Sequence, residues 1–157
     1  MTEPFVFNVG GTPRPQPRPR RVKGRFVSTV GPKVKLWKAG VERAAKEAVA
    51  ARGDRPPLFK GAVRVQLVFT FAPPASKQDR IGEPHAHKPD ADNLSKLILD
   101  VMKAAGVFGD DSQVAQAPPE KWWGSNPGVS VVVTSLAGVR REEPLATLGG
   151  PPSWLRA

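Results

Sequence analysis

Residues 88 to 114 read KPDADNLSKLILDVMKAAGVFGDDSQV, and the recurrence of apolar residues in this stretch decides how the chain around it folds. Leu94, Leu97, Ile98, Val101 and Met102 occupy the i, i+3, i+4, i+7 and i+8 positions of one helical stripe. The spacing predicts a helix over 91–105, with Gly106 placed to cap its C-terminus. Pro89 disfavours helix at Lys88 and Asp90 is a good N-cap residue, so the helix starts there. After it, VFGDDSQV is a Gly-led turn that feeds a strand.

Upstream, AVRVQLVFTFA (62–72) alternates Val63, Val65, Leu67, Phe69 and Phe71 with Arg64, Gln66 and Thr70, the pattern of a half-buried strand. From Val34 to Arg52, Trp37, Val41, Ala44 and Ala48 recur at helical spacing and predict an amphipathic helix that GDRPP terminates. FVFNV (5–9) reads as a first strand before Gly10-Gly11. SQVAQAPPEKWW and VSVVVTSL read as two more strands, joined by the turn GSNPG. Strand, helix, strand, helix, strand, strand predicts a single small α/β or α+β domain, a mixed β-sheet packed against two main helices, over residues 1–137. Residues 138–157, broken by EEP, GG and PP, read as a poorly ordered tail.

Two segments carry no period. In TPRPQPRPRRVKGR (12–25) the prolines favour extended chain and the arginines repel one another, so it reads as a basic arm or loop, either solvated or in contact with phosphate. PPASKQDRIGEPHAHK (73–88) reads as a mobile loop whose two imidazoles, His85 and His87, face solvent.

Lys and Arg number 24 against 14 Asp and Glu, a net charge of +10 over 157 residues. That balance suits a polyanionic partner, nucleic acid before anionic lipid. With no cysteine, disulfides and thiolate metal sites are excluded. No window approaches a membrane span and the N-terminus lacks a signal-peptide core, so no membrane is expected and the cytosol is the expected compartment. No GxxxxGK loop and no GxSxG elbow is present, and no small-molecule cofactor is expected.

Against this basic background the acids are informative. Asp90 and Asp92 fall where the helix dipole favours negative charge, which by itself is a structural use. Asp92 and Lys96, however, are four apart and are presented together beside the buried stripe. Asp110 and Asp111 follow on the next turn, where a strand running back beside the helix start would bring a third carboxylate to the first two. Carboxylates gathered on a cationic surface make sense when a hard divalent cation sits between them and a phosphate. Asp100 lies about 12 Å along the helix from Asp92 at 1.5 Å per residue, too far to share one ion. It reads as a surface or hydrogen-bonding residue.

The run D-A-D-N-L-S-K at the helix start, followed after one helix by D-D-S-Q, resembles the RusA family of Holliday junction resolvases, and the order of elements fits over about residues 5 to 136. The resemblance implies a dimeric, Mg²⁺-dependent endodeoxyribonuclease that cuts four-way DNA junctions by paired symmetric nicks in recombination and repair, with Mn²⁺ able to substitute. It further implies that Asp90, Asp92 and Asp111 are the metal-binding catalytic carboxylates, with Asp110 the spare ligand for a second ion, and that Lys96 is the functional lysine. Arg18, Arg20, Arg21, Lys88 and Lys121 are the expected DNA contacts, and Asn93 orients a carboxylate or caps the helix. Pro89 stands where a basic residue can precede the first aspartate, and the Pro/Arg arm has its own character, so junction contacts are the part the resemblance carries least. Two other readings compete: a non-catalytic DNA- or RNA-binding module whose acids only cap helices and turns, and a nuclease of the same fold acting on flaps, forks or single strands.

Overall fold

The computed structural model describes residues 3–27 and 30–140. Of the tail expected over 138–157, residues 141–157 lie outside the described residues. The elements run β1 (Phe5–Gly10), β2 (Arg20–Val22), β3 (Arg25–Val27), α1 (Pro32–Arg52), β4 (Val63–Phe71), a 3₁₀ segment (Ala75–Arg80), α2 (Ala91–Ala105), a 3₁₀ turn (Asp111–Gln113), β5 (Val114–Gln116), β6 (Pro119–Trp123) and β7 (Gly128–Ser135).

β4, the strand with the clearest alternation, is at the centre of a five-stranded mixed sheet. β7 pairs antiparallel with it on one side and with β1 beyond, while β5 and β6 pair parallel with it on the other. A parallel partner needs a crossover, and α2 supplies it between β4 and β5. The expected third strand is thus divided at Ala117-Pro118, with β5 beside the start of β4 and β6 beside its end.

Alternate residues of β1, β4 and β7 point into one core, where Val63, Val65, Leu67, Phe69, Val131 and Val133 are wholly buried. α1 and α2 pack against each other, with α1 also against β1 and α2 against β6. In α2 the buried stripe is the expected one, Leu94, Leu97, Ile98, Val101 and Met102, with Ser95 added. In α1 it is Trp37, Val41, Ala45 and Val49, so Ala44 and Ala48 sit at its edge, only partly buried. Gly106 ends α2 at φ 86°, and a Cβ there would come within 2.7 Å of Pro56. Glycine is required on both counts. No helix among the described residues is long and apolar enough to cross a membrane.

Two loop expectations need correction. The arm is not loop throughout: β2 and β3 form an antiparallel hairpin around Lys23-Gly24, both with positive φ, the geometry of a tight two-residue hairpin turn. The 73–88 segment is tied down. Gly82 N–H donates to Trp123 O at 2.8 Å, Trp123 N–H to Glu83 O at 2.9 Å and His85 N–H to Lys121 O at 2.9 Å. Backbone pairing with β6, invisible in the local sequence, holds this segment along the sheet edge.

Candidate active site

α2 and the turn after it set out the acids. Asp90 occupies the N-cap position with extended backbone (φ −71°, ψ 142°), yet its side chain makes no capping hydrogen bond. Its carboxylate is exposed and free for another use. Asp92, in the first turn, is also exposed, and the arm lies over this end of the helix. Arg18 Nη2 is 3.6 Å from Asp92 Oδ2, Arg18 Nε donates to Asn93 Oδ1 at 3.2 Å, and Gln16 N–H donates to Asn93 O at 3.1 Å. Asn93 therefore anchors the arm rather than capping the helix.

The second acid pair is built differently. Asp110 Oδ1 accepts from Ser112 N–H at 2.9 Å, while Gln113 Oε1 accepts from Asp110 N–H at 3.0 Å, a reciprocal capping box. Gln113 Oε1 also accepts from Gly109 N–H, and its Nε2 donates to the carbonyls of Phe59 and Gly61 at 3.1 and 2.9 Å. Hydrogen bonding from Ser112, then the charge of Lys103, holds the Asp110 carboxyl below the usual carboxylate range. Asp111 takes no part in the cap and pairs with Lys103 Nζ at 3.4 Å.

Two clefts flank the start of α2. One, of about 670 Å³, is lined by Asp92, Ser95, Lys96, Asp100 and Asp111 above an apolar floor that includes Leu99. The other, of about 730 Å³, is lined by Asp90, Asn93, Lys88, Arg14, Arg18 and Arg20. The turn after α2 thus brings Asp111 to Asp92 and Lys96, while Asp90 faces the adjoining cationic cleft. Asp100, expected as a surface or hydrogen-bonding residue, lines the acid cleft as well. Its signal lay in the spacing Asp92, Lys96, Asp100, which is one helical face.

All the donors are carboxylate oxygens, which suit a hard divalent cation. Among the described residues, no three His, Cys, Asp or Glu side chains stand close enough to share one ion. Asp92 and Asp111 are instead matched singly, by Arg18 and Lys103.

The remaining expected contacts are dispersed. Arg20 and Arg21 belong to the β2–β3 hairpin and are exposed. Lys121 is half-buried in β6, and its Nζ donates to His87 O at 2.6 Å and Pro89 O at 2.9 Å. It braces the chain entering α2, with one N–H left over. The expectation that both histidines face solvent fails for His85, which is 6% exposed. Its ring stacks on Phe71 at 4.3 Å and meets Trp123 at 4.3 Å. Burial, then the nearby Lys121 charge, push its pKa below the ordinary 6.5.

A small mixed α/β domain, strongly basic and with an acid-and-lysine cleft at a helix start, has the make-up of a phosphodiester hydrolase. The family model for the endodeoxyribonuclease RusA matches residues 10–134. The chain belongs to that family and is an endodeoxyribonuclease, a hydrolase of DNA phosphodiester bonds. A search of curated proteins found no match.

Proposed function

We propose that the protein resolves four-way DNA junctions by paired symmetric nicks, that it does so as a homodimer, and that cleavage depends on Mg²⁺, with Mn²⁺ as a substitute. The observation that carries this reading is the cleft shared by Asp92, Lys96 and Asp111, opening beside a second cleft lined by Asp90 and the arginines of the arm. In this proposal Asp92 and Asp111, from the shared cleft, and Asp90, from the adjoining one, would hold the cation. Among the described residues no three acids already stand close enough to share it, so these side chains would have to draw together around it. Asp110 is left to its turn, because its carboxylate already serves as a cap.

When bound, Mg²⁺ supplies positive charge against the scissile phosphate and lowers the pKa of a bound water. The protein's own groups do the rest. Lys96, four residues from Asp92 on the same helical face, offers its ammonium to phosphate oxygens whose charge grows as the P–O bond breaks. Arg18, now on Asp92 and Asn93, is placed to exchange a carboxylate for a DNA phosphate when the site is loaded. The cationic cleft of Arg14, Arg20 and Lys88 guides the backbone past Asp90. Two sites are needed for symmetric nicks in a substrate with two-fold symmetry, which is the argument for the homodimer.

The test is a labelled synthetic four-way junction and its matching linear duplex, each incubated with the protein with and without Mg²⁺ and resolved on a denaturing gel. Paired, metal-dependent nicks in the junction alone are expected. Tight binding without nicks in either Mg²⁺ or Mn²⁺ overturns the proposal, and preferential cutting of flaps or forks replaces its substrate.

A further inference from the structure

The β2–β3 hairpin is not part of the core, and of its strand residues only Arg20 lines the cationic cleft. All six of its strand residues are exposed. Among them are Phe26 at 77%, Val22 at 50% and Val27 at 42%. An isolated two-stranded ribbon is at best marginally stable in water, and an aromatic ring standing free on one marks a contact surface.

Its register says what kind of contact. Arg21 lies directly opposite Phe26, so guanidinium and ring share one face, while Arg20, Val22, Arg25 and Val27 share the other. Every charged residue from Thr12 to Val27 is a cation. A ribbon that interleaves arginines with an exposed aromatic suits a polyanion carrying exposed flat rings, which is DNA with unstacked bases. The ribbon is also tethered at the cleft. Only Pro19 separates it from Arg18, which is fixed to Asp92 and Asn93. The branch point of a junction is where bases lose stacking partners, and side chains that insert there hold the opened geometry.

We infer that the β2–β3 hairpin is a wedge that stacks Phe26 on a base at the branch point of the junction while its arginines hold the flanking phosphates. This rests on the junction-cleaving reading above and assigns to the hairpin the recognition of branched over linear DNA.

The test uses the full chain with Asp92→Asn to prevent cutting, and four-way junctions carrying 2-aminopurine either at the branch point or within an arm. Binding should change the fluorescence of the branch-point probe and leave the arm probe unchanged. Adding Phe26→Ala should abolish that change and weaken junction binding roughly tenfold, the effect of removing one base–aromatic stack. Duplex affinity and melting temperature should not move, because Phe26 is outside the core. Phe26→Trp should restore the signal. An unaltered signal in Phe26→Ala overturns the wedge alone, whereas equal binding of junction and duplex by the Asp92→Asn protein overturns the wedge together with the junction reading. A halved mass in sedimentation on replacing Phe26 also overturns it, showing that the ring packs on a second copy of this chain.

Discussion

The two acidic pairs that flank α2 look alike in sequence and differ in construction. At Asp90 and Asp92 neither carboxylate serves the local backbone, and the only partner among the described residues is an arginine brought from far up the chain, Arg18. At Asp110 and Asp111 the duties are divided. Asp110 closes a capping box with Gln113, while Asp111 stands outside it and faces the same cleft as Asp92. An acid that satisfies backbone N–H groups is a structural part, and one held only by a long, exposed cation is available for chemistry. By that criterion Asp90, Asp92 and Asp111 are the acids left available for the cation proposed above.

The largest expected effect separates the two classes directly. Asp92→Asn and Asp111→Asn should each lower junction cleavage by roughly a hundredfold or more, the scale on which weakened electrostatic stabilisation of a transition state is felt. DNA affinity by gel shift should stay near wild type or rise, since a repulsive charge beside phosphate is gone. Asp110→Asn should cleave within a few-fold of wild type and show its effect in melting temperature. If Asp110→Asn is as inactive as Asp111→Asn while melting normally, the division of duties inside the pair is wrong.

Gln113 sharpens the same contrast from the structural side. Its amide accepts from two N–H groups and donates to two carbonyls, joining the turn to Phe59 and Gly61. Gln113→Ala leaves these groups without partners and should cost roughly 1–3 kcal/mol in urea unfolding. Cleavage should fall with it, because the turn that aims Asp111 loosens. A variant that keeps full stability would mean the turn is held by other interactions.

α2, β4 and the mixed sheet were legible because the apolar residues obey a single period, and burial on one face enforces it: Leu94, Leu97 and Ile98 on the helix, Val63, Val65 and Leu67 on the strand. Asp92 with Lys96 was legible for the same reason, as neighbours on one turn. What stayed hidden depends on partners distant in sequence. The 73–88 segment is held by backbone bonds to β6, His85 is buried by Phe71 and Trp123, and Arg18 reaches Asn93. The hairpin at Lys23-Gly24 escaped because its strands are too short for alternation to register, although a residue of positive φ before glycine is the turn chemistry a hairpin needs.

The arm offers a smaller effect that bears on the first acid pair. The Arg18–Asp92 pair is largely exposed on both sides, so it adds little to stability. Replacing Arg18, Arg20 and Arg21 together by Ala should leave the melting temperature nearly unchanged and weaken DNA binding. The slope of log affinity against log salt should flatten by up to about 0.9 for each phosphate the arm no longer neutralises. An unchanged slope would make Arg18 a mere counter-ion for Asp92 and the arm a bystander to DNA.

The smallest effect lies at the loop that leads into Asp90. His85 is packed between Phe71 and Trp123 with His87 at its edge and Lys121 nearby, and its buried Nδ1 has no hydrogen-bond partner among the described residues. Its pKa is lowered in the folded chain, so as pH falls the unfolded chain takes up the proton first. The stability tied to neutral His85 is therefore complete above about 6.5, and it is lost progressively as pH drops through 6.5 towards the folded pKa. His85→Phe should keep the aromatic stack and remove the titrating group. Its melting temperature should then decline less than that of wild type between pH 7 and roughly pH 5, a window set by the ordinary imidazole value. Parallel melting curves in that window would overturn the role of His85 without implicating Asp110. Its lowered carboxyl pKa also removes stability as pH falls, but in the carboxylate range below the imidazole one.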